Sequence, residues 1–430
     1  MRIGDFEAWV APNGATTATG GVLDTGVDYW TPQLGAPFAF TTATNHAERR
    51  GQPPECHTDQ IQRGPVPLPG GGGRPDPPPR GLAFAPYGEL WVTEAGVGGP
   101  GPCIPFMGNT NCFGNSGRVS SVAFGQRSTV LDKLASLATP LLDQASGPNG
   151  ITFSDGKPYV IIGGGGPQSA VDVLGPLQSQ TGVLLAVDAT RSGLSLRTAA
   201  SIANYEHANH PDNRLNPDGT LMPESNPYDV TSIGADVFVT DAGARTVLKV
   251  TPAGAVSVVG VIPPQMVNQP ASPGGLVPTL EDSVSTGITP APYGRGLLVA
   301  DYTGYPYVPG TSNIWQVQPG QAPKVFASGF TNLIGLSPAP DGGAYALEMA
   351  SSGALSAGPG GSVIRVSPQG GAENPGLPGP DTAHRHRYQP ERRRLCLELW
   401  RHVRLRTGGE GPLGEPSPVR MTPRGSIQVG

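Results

Sequence analysis

Gly81-Leu82-Ala83-Phe84-Ala85-Pro86-Tyr87-Gly88-Glu89-Leu90-Trp91-Val92-Thr93-Glu94-Ala95-Gly96 is an apolar run, a tight turn and a second apolar run that ends in an acid. The phrase returns four times. It is found at Gly150-Ile151-Thr152-Phe153 through Gly163, at Asp229-Val230-Thr231 through Gly243, at Gly287-Ile288-Thr289-Pro290 through Asp301, and at Gly335-Leu336-Ser337-Pro338 through Glu348. A strand–turn–strand unit repeated at this spacing is the mark of a β-propeller blade. One unit cannot bury both of its apolar faces alone, so the copies must pack around an axis. The fold expected is all-β, a six-bladed propeller whose last blade is incomplete.

Composition agrees with turn-rich β structure. The 430 residues include 63 Gly and 49 Pro, which punctuate the strand-like runs of residues 80–375. No helix of useful length is expected there. A net charge of −5 argues against a nucleic-acid partner or an anionic membrane surface. No apolar run approaches the ~20 residues of a membrane span. The first residues, Met1-Arg2-Ile3-Gly4-Asp5-Phe6-Glu7, lack the apolar core of a signal peptide. Cys103 and Cys112, nine positions apart in a Gly/Pro-rich stretch, have a spacing that suits a disulfide, the alternative being two free thiols.

Three regions follow. Residues 1–79 are weakly patterned and end in the low-complexity run 64–79, a linker. Residues 80–375 are the propeller. Residues 376–430 form an Arg-rich tail with ten of the chain's 24 Arg and no Lys. GC-rich codons for His384-Arg385-His386-Arg387-Tyr388-Gln389-Pro390-Glu391-Arg392-Arg393-Arg394-Leu395-Cys396-Leu397-Glu398-Leu399-Trp400, read one base later, give Thr-Gly-Ile-Ala-Thr-Ser-Pro-Asn-Gly-Gly-Asp-Phe-Val-Ser-Ser-Phe-Gly. That is the blade phrase again, at the right period after Gly335. A frameshift that replaced a sixth blade is the reading favoured, with an authentic basic tail as its rival.

Propeller topology sorts the turns into two faces. Turns such as Asp155-Gly156-Lys157 and Pro340-Asp341-Gly342 are short and share the lower face. The upper face receives the long segments, Val97–Gly117, Gly163–Gly182, Ala203–Asn226, Pro263–Ser285, Tyr302–Ser312 and Ala350–Gly361. Insertions confined to one face mark a binding surface. Its expected partner is a small molecule or a protein, bound by a monomer. Tyr302, Tyr305 and Tyr307 are candidates to stack on a planar or sugar-like ligand. Glu94, Asp241, Asp301 and Glu348, at the ends of second strands, could with Asn149 ring a hard cation such as Ca²⁺. Equally, an acid at that place can satisfy backbone N–H groups of the adjoining loop. His207 and His210 lie in a polar stretch, read as a loop, where metal binding is the lesser reading. No nucleophile elbow or phosphate loop is present, so no catalytic residue is assigned.

Several phrases together resemble the ScyD/ScyE family. They are Pro79-Arg80-Gly81-Leu82-Ala83-Phe84, Thr93-Glu94-Ala95-Gly96, Gly101-Pro102-Cys103, Tyr205-Glu206, Asn226-Pro227-Tyr228, Asp301-Tyr302-Thr303-Gly304-Tyr305-Pro306-Tyr307-Val308-Pro309-Gly310 and Gly329-Phe330-Thr331-Asn332-Leu333-Ile334. The resemblance covers about residues 79–370. It implies a secreted, extracellular or periplasmic propeller of the NHL/TolB-like kind with no defined catalysis. The alternative is a metal-dependent hydrolase or lactonase like the gluconolactonase propellers, for which Glu94, Asn149 and Asp241 are the nearest residues of the needed types.

Overall fold

The computed structural model describes residues 77–370, apart from 107–108, 124–125, 141–143, 165, 192, 217, 271–273 and 355–360, and the backbone of a few short strands outside that range. The expectations for the Arg-rich tail and the sixth blade fall outside the described residues. Near the start of the chain, Arg2–Ile3, Phe6–Val10 and Phe38–Thr42 pair as a three-stranded antiparallel sheet.

Five antiparallel sheets form the propeller, each with its strands in chain order. Blade one is built on Pro79–Phe84, Leu90–Glu94, Asn109–Ala123 and Gln126–Ala138, with short additions at Cys103–Phe106 and Ala145–Ser146. Blade two has Pro148–Ser154, Lys157–Ile162, Val183–Thr190 and Gly193–Ser201. Blade three has Pro227–Ile233, Asp236–Asp241, Thr246–Val250 and Val256–Val261. Blade four has Ser285–Pro290, Leu297–Asp301, Ser312–Val317 and Lys324–Phe330. Blade five has Leu333–Pro338, Ala344–Glu348, Ser362–Val366 and Ala372–Glu373. The first strand of each blade packs on the first strand of the next, which sets these strands around one axis.

Side chains alternate across a strand, so a strand between two blades must be apolar on both faces. The run Tyr159-Val160-Ile161-Ile162 shows this. Val160 and Ile162 pack toward blade one with Trp91, Val119 and Ile151. Tyr159 and Ile161 pack toward blade three with Val230, Val237 and Val239. Phe238, Val247 and Val259 then meet Ile288, Leu297, Val299 and Trp315 of blade four. Leu298, Ala300 and Ile314 meet Ala344, Ala346 and Ile364 of blade five. The outward flanks of blades one and five carry exposed Leu82, Phe84 and Val363, apolar surface of the kind a further blade would cover.

The repeated glycine has a steric cause. An added Cβ would lie 2.8 Å from the Asn149 carbonyl oxygen at Gly81 and 2.6 Å from the Cα of Gly335 at Gly287. At these two positions the first strands approach backbone to backbone at the axis, and only Gly leaves room.

Four stretches differ from their reading as loops, since Gln168–Val171 and Asp172–Gln180 are helical and Gln265–Pro270 pairs with Leu276–Glu281 as a hairpin. Ile202–Asn209 is an α-helix. It is too short to show a period in sequence, and its start is set by tertiary bonds, the N–H groups of Ile202 and Ala203 both donating to the Gly182 carbonyl. The segment 97–117 is largely strand. Blade one's third strand extends upward from the blade and pairs with Cys103–Phe106 as a hairpin.

Candidate functional site

Second strands end at the upper face, directly opposite the start of the first strands. Pro79 pairs with Glu94, Pro227 with Asp241, Ser285 with Asp301 and Leu333 with Glu348. All four acids are buried, and each is committed to donors in its own blade or in the segment that enters it. Asp241 Oδ1 accepts from the backbone N–H groups of Asn226 (2.6 Å), Gly243 (3.0 Å) and Ala244 (3.1 Å), and its Oδ2 from Ser225 Oγ (2.5 Å). Asp301 accepts from Val284 N–H (2.9 Å), Thr303 N–H (3.2 Å) and Trp315 Nε1 (3.3 Å). Burial outweighs those donors and pushes the Asp301 carboxyl up to about 6. Glu348 accepts from Thr331 N–H (2.8 Å) and Ser362 Oγ (2.7 Å). Glu94 has a different set of partners. It is paired with Arg118, with Arg127 Nη2 (2.5 Å) and with Ser120 Oγ (2.6 Å).

Asn149 joins blades. Its Nδ2 donates to the Pro227 carbonyl at 3.1 Å, linking blade two to blade three. Threonine hydroxyls make the same kind of link elsewhere. Thr93 Oγ1 donates to the Asn149 carbonyl (3.2 Å), Thr240 Oγ1 to the Thr286 carbonyl (2.5 Å) and Thr286 Oγ1 to the Leu333 carbonyl (2.8 Å). These residues escaped the sequence reading, although Thr precedes the acid in two copies of the phrase. Blade three carries Asp229 where the other copies have Gly. Its Oδ2 accepts from Ile288 N–H of blade four (3.2 Å), and burial pushes its carboxyl up to about 6. Among the described residues, no three His, Cys, Asp or Glu side chains are grouped to hold a metal ion.

The densest charge cluster was not foreseen either. The segment between blades two and three supplies Glu206, Asp212, Arg214 and Glu224. Arg214 bonds Glu224 (3.2 Å) and Asp282, while Arg245 bonds Asp212 (3.3 Å) and Asp282 (3.1 Å). Two guanidinium groups thus clamp two inter-blade segments onto blade three. Burial pushes the Glu224 carboxyl up to about 7, against the pull of Arg214. His207 lies on the helix and His210 caps it in the left-handed region, at a φ of 45°.

Of the three candidate tyrosines, Tyr302 and Tyr307 are buried in an apolar cluster with Ala242, Val284 and Ile334. Tyr305 alone keeps its ring half exposed, with its hydroxyl 3.3 Å from Gln269 Nε2. Gln269 belongs to a hairpin, Gln265–Pro270 paired with Leu276–Glu281, that rises from the upper face between blades three and four. Gln265 anchors its base by donating from Nε2 to Glu281 (3.0 Å) and to the Thr311 carbonyl (2.8 Å) and by accepting from Asn313 (2.9 Å). Met266 and Leu280 are cross-strand partners, as are Pro270 and Leu276. Met266 and Leu276 are each 64% exposed and Leu280 is 60% exposed. Cys103 and Cys112 are joined as expected, and their Cα atoms lie 3.9 Å apart as cross-strand partners.

No protein-family model and no curated protein matches the chain. Solved structures do. The chain is similar to virginiamycin B lyase from Staphylococcus aureus, at 14% identity and a TM-score of 0.38, over 70% of this chain and 71% of that one. It is similar to a chain of a nidogen/laminin complex, at 13% identity and 0.38, over 68% and 76%. It is similar to a gluconolactonase from Xanthomonas campestris, at 12% identity and 0.34, over 70% and 87%. These neighbours are NHL/TolB-like and gluconolactonase-like β-propellers. The fold assignment here stands on the five sheets and their order, and no activity is carried across at such identities.

Proposed function

We propose that the protein is a secreted-type binding propeller of the ScyD/ScyE kind, which takes a protein or small-molecule partner on its upper face and performs no defined catalysis. The anchored hairpin Gln265–Glu281 carries this reading. A two-stranded ribbon is marginal alone, yet this one is fixed at its base and holds Met266, Leu276 and Leu280 out into solvent. Exposed apolar side chains grouped on an ordered protrusion mark contact surfaces. The disulfide in a second upper-face hairpin favours an oxidising compartment. The commitments of Glu94, Asn149 and Asp241 within and between blades favour binding over a lactonase centred on a cation.

The test is site-specific photocrosslinking in source cells. Benzoylphenylalanine at Met266 or Tyr305 should give discrete adducts, and the same probe at Tyr87 or Asp155 on the lower face should give none. Equal adducts from both faces, or adducts from the lower face alone, would overturn the assignment.

A further inference from the structure

Helix Ile202–Asn209 packs against Glu224–Ser225 and the strand Val183–Thr190. It carries Glu206, whose side chain crosses to blade three and is only 2% exposed. Oε1 accepts from Thr246 Oγ1. Oε2 is buried and has no hydrogen-bond partner. Asp241, the cross-strand partner of Thr246, stands opposite and already accepts four donors; burial outweighs them and pushes its carboxyl up to about 6, so above that pH it is the anion, and Asp212 lies close enough to add to the repulsion. The other charged groups around the helix have partners of their own, among them Asp172, which accepts from Gln168 Nε2 at 2.6 Å and lies near His207. Arg214 and Arg245 are engaged with Glu224, Asp212 and Asp282. Asp188, on the strand beneath, is paired with Lys157 and Arg197. His207 is held toward its neutral form by burial, with His210 nearby.

A carboxylate in this place would be both unsolvated and opposed by two like charges. The carboxylic acid is the form that fits. The geometry points to a proton latch: the protonated Glu206 carboxyl holds the helix and the segment through Asn226 against blade three, and its ionisation opposite Asp241 releases them from the upper face. The step is a simple ionisation, with the Oε2 proton passing to solvent. Burial first, and then the charge of Asp241, pushes the folded-state pKa up to about 9. The unfolded carboxyl sits near its ordinary value of 4.5. A group raised on folding contributes stability that is full below its unfolded pKa and lost as pH rises through the folded one. The latch is therefore strongest below about pH 4.5, weakens steadily as pH rises above that, and is spent by about 9. This inference is independent of partner binding, because crosslinking at Met266 can fail while the latch operates.

Hydrogen exchange read by mass spectrometry, corrected for intrinsic rates, tests it on the whole chain. In the wild type, residues 202–226 should exchange at least tenfold faster at pH 9.5 than at pH 7, while the strand Val237–Asp241 stays unchanged. Glu206→Gln, which mimics the acid, should remove that pH dependence. A second measurement needs no variant: one ¹³C-labelled glutamate carboxyl should titrate above pH 7. A segment whose protection ignores pH, a Gln variant that follows the wild type, or a set of glutamates that all titrate below pH 6 would each overturn the latch.

Discussion

Asp241→Ala should lower the free energy of unfolding by about 3–5 kcal/mol. The carboxylate is fully buried and accepts three backbone N–H groups and one hydroxyl. Alanine leaves all four donors without an acceptor, and each orphaned buried group costs about 1–3 kcal/mol. The simple sum is too large, because the substitution also removes the cost of burying a charge. Asp241→Asn keeps an oxygen for the backbone donors and should lose about 1–2 kcal/mol. Urea denaturation of the two variants measures both. A loss under about 1 kcal/mol for alanine would show that the loop does not depend on this acceptor.

Gly287→Ala should be as damaging, by a different route. The new Cβ would sit 2.6 Å from both the Gly335 Cα and the Leu336 nitrogen. Both are main-chain atoms of the next blade, so no side chain can swing away. Relief requires blades four and five to part at the axis, where Thr286 Oγ1 bonds the Leu333 carbonyl. The expected cost is about 3 kcal/mol or more, with apolar packing between the two blades loosened. Gly310→Ala is the control. Gly310 has φ +84° and nothing within 4 Å, so its change carries only left-handed strain, about 1–2 kcal/mol. Comparable melting temperatures for the two variants would refute crowding at the axis as the reason for the repeated glycine.

The blade phrase was legible because its cause is local and repeated. Strands such as Val237–Val239 are buried on both faces and read as unbroken apolar runs. The Gly at four of the five starts and the acid at four of the five ends mark the axis and the upper rim. The disulfide was legible from spacing because a short hairpin places the two cysteines opposite each other. What stayed hidden depends on partners far apart in sequence. Glu206 meets Thr246 across 40 residues, and Arg214 meets Asp282 across 68. The three aromatics of Tyr302–Tyr307 looked alike in sequence, but the chain's path buries two of them and leaves one outside. The hairpin at Gln265–Glu281 hid behind its prolines and polar residues, which break a clean alternation.

The acids at the upper rim decide between a binding propeller and a cation-centred enzyme. The account holds that their oxygens are spent on backbone, hydroxyl and guanidinium donors. Calorimetric titration of the chelator-treated full chain with Ca²⁺ tests this most directly. The result predicted is no saturable heat in the micromolar range and no change in melting temperature. A single saturating site, with stabilisation lost together with its heat in Glu94→Gln or Asp241→Asn, would contradict it.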